Sequence, residues 1–171
     1  MEQIAKTIQP VSANNHKQSF ITDGLVVLIS FVWLGFFSAI SFMEAPVKFQ
    51  APHLSLSIGV EVGRVVFQTS QMVQWMFFLL LLLSLLRAGK LFSTLWIGWV
   101  GLMLIMLAES CWLFPVLDRQ AQQVIQGHVL PMTTIHWVFV GTELLKIPCL
   151  LFLGWKTMKI FSVSSKYMVS H

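Results

Sequence analysis

Four apolar runs, each long enough to cross a lipid bilayer, take up most of this chain: about Phe20 to Met43, Ile58 to Leu86, Phe92 to Phe114 and Thr133 to Trp155. A spanning helix needs about 20 mostly apolar residues to cover a hydrocarbon layer of roughly 30 Å. Hydrophobic residues make up 56% of the 171 and charged ones 11%, more oil than a soluble core of this size requires. The runs are continuous and lack the period-2 alternation of a membrane barrel wall, so the spans read as helices. The expected fold is all-α: a polytopic integral membrane four-helix bundle. The first run is too long for a signal-peptide core and follows a polar stretch, so it reads as an uncleaved anchor.

Polar tails flank the bundle. Residues 1–19, with Pro10, Ser12, Asn14 and Asn15, read as a mobile N-terminal tail, and residues 161–171 as a C-terminal one. Lys and Arg counted by loop set the orientation. Lys6, Lys17, Arg87, Lys90, Lys156, Lys159 and Lys166 fall on one side, seven against Lys48, Arg119 and, just inside helix two, Arg64. That bias predicts both termini and the short turn between helices two and three in the cytoplasm (N-in/C-in). The net charge of +4 follows from this topology and implies no nucleic-acid partner. The expected partners are the lipid bilayer and either further copies of the chain or a membrane subunit.

Local signals place the helix ends. Thr22 and Asp23 read as caps of helix one, whose Ser30, Leu34, Ser38 and Ser41 form a small-residue face. Pro46 and Pro52 argue against regular helix between Glu44 and Val60, and the alternation from His53 to Ile58 suits a segment lying flat at the interface. Helix three carries Gly98 and Gly101 for close approach of a neighbour and is expected to stop at Pro115. A separate short surface helix follows over Asp118 to Gln126, closed by Gly127, and Pro131, Thr133 and Thr134 signal the start of helix four.

Charged and amide groups inside the spans are the candidates for function, because lipid tolerates them only where they face protein or water. Glu61, Arg64, Gln68 and Gln71 recur every three or four residues, forming one stripe of helix two, with Gln74 nearby. At about 1.5 Å per residue, Arg64, Glu109 and His136 come out roughly 8 to 10 Å from the helix ends, one layer in which Arg64 attracts an anion or holds Glu109. Gln71 and Glu143 lie roughly 18 to 20 Å in, with Lys146 a turn further. His136, Val140 and Glu143 share a face, and Glu143 and Lys146 are close enough to pair. The expected polar seam is therefore Arg64, Gln68, Gln71, Glu109, His136, Glu143 and Lys146, flanked by the outer-loop candidates Glu44, Lys48, His53, Glu61 and Asp118.

Metal and cofactor chemistry finds no motif. His136 and Glu143 stand about 10 Å apart along the axis, and there is neither an HExxH nor the ExxH pair of a di-iron bundle. A two-histidine haem lacks a second intramembrane histidine, so no cofactor is expected. Cys111 and Cys149 sit at different depths, which argues against a disulfide. The seven Trp and fourteen Phe suit interface belts and lipid contact.

Four segments resemble a group of small bacterial four-helix integral membrane proteins: Glu44-Ala45-Pro46-Val47-Lys48-Phe49-Gln50-Ala51-Pro52, Gly63-Arg64-Val65-Val66-Phe67, Trp112-Leu113-Phe114-Pro115-Val116-Leu117-Asp118, and His136 with Glu143 and Lys146. The resemblance covers about Ser30 to Gly154 and implies the same architecture and a bacterial origin, without an activity. It departs at Gln74, where the group often has an acid, and at Phe139, where it often has a tyrosine. The leading expectation is a membrane protein, not an enzyme, that binds or passes a small solute or protons along the seam. An accessory or assembly subunit of a larger membrane complex is the alternative, and a haem- or quinone-linked oxidoreductase subunit a distant third.

Overall fold

A computed structural model describes residues 21–87, 90–128 and 134–169. The described residues form helices and connecting turns, with no strand among them. We number the long helices α1 (Ile21–Gln50), α2 (Leu56–Arg87), α3 (Lys90–Ala108, continuing through Glu109–Leu113 into Phe114–Ile125) and α4 (Thr134–Val169). Each contains a window long and apolar enough to span a membrane. Many large apolar side chains point outward, among them Met72 (72% exposed) and Ile97 (64%), as lipid-facing side chains do. The expected tail over residues 1–19 lies outside the described residues, and the C-terminal tail is not separate: α4 runs past Ile160 to Val169.

Two prolines expected to break helices do not. Pro46 and Pro115 each follow a π-helical turn, Ala39–Glu44 and Glu109–Leu113 respectively, and each stands in the first turn of the α-helix that resumes. A proline ring clashes with the carbonyl four residues back and supplies no N–H. The wider π turn relieves that clash, so the helix continues. The loop expected after Glu44 is thus helical to Gln50, and the surface helix expected over Asp118 to Gln126 is the continuation of α3. Ile21 is already helical, so Thr22 and Asp23 lie within α1. Ser55 Oγ accepts from the Ile58 amide at 3.4 Å and caps α2, which starts inside the stretch expected to lie flat. Gly127 ends α3 with φ +89°, a backbone shape that costs any other residue a Cβ clash. Pro131 and Thr133 lie outside the described residues.

One core takes residues from all four helices: Trp33 and Phe37 from α1, Phe78 and Leu81 from α2, Leu102 and Met106 from α3, Leu150 and Leu153 from α4. Phe78 stacks on Trp99 at 5.1 Å and meets Trp33 edge-on at 6.4 Å, linking α1, α2 and α3. The glycines of α3 bring α4 close. A Cβ on Gly98 would stand 2.9 Å from Phe152 and 3.1 Å from Leu153, and one on Gly101 3.4 Å from Cys149 Sγ. Cys111 and Cys149 are free thiols.

Candidate functional site

Polar side chains converge in two tiers. The deeper tier centres on Lys146, whose Nζ lies 2.7 Å from Glu109 Oε2, 2.8 Å from Glu143 Oε1 and 2.8 Å from Gln74 Oε1. Lys146 and Glu109 have no solvent exposure, and Glu143 and Gln74 have 2% and 3%. The Phe37 ring lies 5.7 Å from the ammonium, and Trp33 Nε1 donates to Gln74 Oε1 at 3.4 Å. Glu109 Oε1 and Gln71 Oε1 find no hydrogen-bond donor among the described residues. Ser110 Oγ accepts from Gln71 Nε2 at 2.9 Å and from Trp75 Nε1 at 3.0 Å. All four helices therefore build this tier.

Its charges do not cancel. Two carboxylates face one ammonium, and Gln74 brings no charge, so the formal sum is one negative charge. An uncompensated buried charge costs several kcal/mol, which a bound proton or cation removes.

The upper tier is a cavity of about 450 Å³ toward the end of the helices that carries Gly127. Phe42, Phe49, Phe67, Phe114 and Phe139 supply its walls, with Arg64, Gln68, Asp118, Lys48 and His136 among them. Glu143 lines it too and joins the tiers: its Oε1 meets Lys146, and its Oε2 accepts from Ser41 Oγ at 3.2 Å. Arg64 makes a two-pronged pair with Asp118, the second contact running from Nη2 to Oδ2 at 3.2 Å. Gln68 and Gln122 also donate to Asp118, at 3.2 and 2.9 Å. Lys48 Nζ stands 3.3 Å from Glu44 and 5.5 Å from the ring centres of both Phe49 and Phe67. Arg64 and Asp118 keep 34% and 28% side-chain exposure, so the cavity mouth is reachable from the surface.

The expected layer of Arg64, Glu109 and His136 is not formed. Arg64 pairs with Asp118, one of the outer-loop candidates, and its charge is already matched. Glu109 sits lower, against Lys146. Depth counted from Pro115 as a helix end brings Glu109 too near the surface, because α3 continues to Ile125. His136 does face the cavity with Val140 and Glu143, and the Glu143–Lys146 pair forms. The α2 stripe turns Arg64, Gln68 and Gln71 toward α3, whereas Glu61 and His53 are exposed and stay outside both tiers.

Several participants were not among the candidates: Gln74, Ser41 and Ser110, and the donors Trp33, Trp75 and Gln122. Gln74 continues the amide stripe one turn beyond Gln71, which is a readable signal. The two serines carry none, because each is placed by a π turn. Among the described residues, no three His, Cys, Asp or Glu side chains gather as a metal site would need. No protein-family model, curated protein or solved structure matches this chain.

Proposed function

We propose that this chain is a membrane protein that binds or passes a small solute or protons through the two-tier seam. The single observation behind the reading is the deep cluster of Glu109, Lys146 and Glu143, with one charge unmatched and Glu143 reaching the cavity. Ionisable groups at such depth mark ion, proton or substrate paths in membrane proteins. The seven-to-three Lys/Arg bias supports both termini in the cytoplasm and turns the cavity to the opposite side, which is the periplasm if the bacterial origin implied by the resemblance holds and the membrane is the inner one. In that setting His136 and Arg64 guard the entrance, Glu143 exchanges the proton or cation, and Lys146 with Glu109 forms the inner gate. Four helices leave room for this chain to work with further copies or a partner.

Proton flux into proteoliposomes, read with an internal pH dye, tests the reading. The wild-type protein should carry flux above empty vesicles, and Glu143→Gln should lose it while expressing normally. Unchanged flux with collapsed expression would assign the cluster to folding and favour an accessory or assembly subunit.

A further inference from the structure

The cavity has features that define what it would hold, on the reading that the seam binds a solute. The charged groups that line it (Lys48, Arg64, Asp118 and Glu143), with those ion-paired to them, can be summed by helix. α1 brings Glu44 and Lys48, paired with each other, and α2 brings Arg64, paired with Asp118 of α3. Below them α3 brings Glu109, and α4 brings Glu143 and Lys146. His136 of α4 also lines the cavity. Lining residues and their partners together hold three cations and four carboxylates, and both upper cations are already matched. The unmatched negative charge is shared by the deep cluster, whose Glu143 reaches the cavity floor with Oε2 receiving only the Ser41 hydroxyl.

The walls point the same way. Five phenylalanines surround the space, and two of them, Phe67 and Phe114, meet Phe139 edge-on at 5.6 and 5.7 Å. Aromatic faces attract cations and form the cages that recognise quaternary ammonium groups. Lys48 already uses this property, with its ammonium 5.5 Å from two of the rings. A volume of about 450 Å³ is within the range of small-molecule sites. An anion would find aromatic walls, a carboxylate at the floor, and the two upper cations already held by acids.

We propose that the cavity binds a lipophilic organic monocation, which replaces one proton on the Glu143–Lys146–Glu109 cluster. When the cation enters, a carboxylic acid of the cluster releases its proton to solvent, and the charge within the site stays constant. When the cation leaves, the carboxylate takes a proton back. No covalent bond other than O–H is made or broken.

Calorimetry on the protein in nanodiscs, with protein-free nanodiscs as the blank, tests this with tetraphenylphosphonium and its near-isosteric anion tetraphenylborate. The cation should bind and release one proton, seen as heat that varies with buffer ionisation enthalpy. Its affinity should fall about tenfold per unit drop in pH where the cluster holds the proton. Tetraphenylborate should show no binding above the blank. Equal or tighter binding of the anion overturns the proposal, as does cation binding without proton release. Glu143→Gln should weaken the cation at least tenfold. If that variant does not fold, Phe139→Trp, which fills the cavity without touching the charges, should weaken it instead. Proton flux without any tetraphenylphosphonium binding would overturn this inference alone and leave the seam as a proton path.

Discussion

Replacing Lys146 with methionine would test the deep cluster most directly. Methionine stands in for the four-atom apolar stem but removes the ammonium that three acceptors share at 2.7 to 2.8 Å. The formal charge of the cluster moves from one negative to two, in a site with at most 2% exposure at either carboxylate. Breaking a buried pair by removing one partner costs about 3–5 kcal/mol, roughly a hundred- to several-thousand-fold in the folded-to-unfolded ratio. Adding Glu109→Gln and Glu143→Gln to Lys146→Met removes the charges left behind and should restore most of that loss, because neutral amides can pair with each other and with Gln74. Arg64→Met serves as the reference: its pair with Asp118 is partly exposed, and its loss should cost far less. Unfolding curves in mixed micelles with increasing sodium dodecyl sulfate give the comparison. The reasoning fails if Lys146→Met is no more destabilising than Arg64→Met, or if the triple variant is worse than the single one.

Three further outcomes follow from the fold. Gly98→Val should destabilise by about 1–3 kcal/mol in the same assay, since even a Cβ meets Phe152 at 2.9 Å and Leu153 at 3.1 Å, whereas Gly35→Val, with nothing within 4 Å, should change little. Gly127→Ala should cost about 1 kcal/mol, because φ +89° disfavours any side chain, and its melting curve should shift accordingly. With Cys111 and Cys149 changed to serine, a cysteine at exposed Gln122 should react with a membrane-impermeant maleimide in intact cells, and one at exposed Lys156 only after lysis; the reverse pattern would overturn the proposed orientation.

Much of this protein is legible in the order of its residues. Burying apolar length in lipid needs no partner, so span number and rough position follow from composition alone, and the 3.6-residue period places Gln71 with Arg64 or His136 with Glu143. Pairing between helices is another matter. It depends on where each helix ends and how it is rotated, and two π turns, invisible in any local signal, change both. They carry α1 past Pro46 and α3 past Pro115, put Asp118 beside Arg64, and lower Glu109 to Lys146. Gln74, apparently one more amide of the stripe, becomes a ligand of that ammonium only when α2 and α4 are packed together. Helix existence rests on each segment's own chemistry, whereas a shared buried charge exists only after several helices have met.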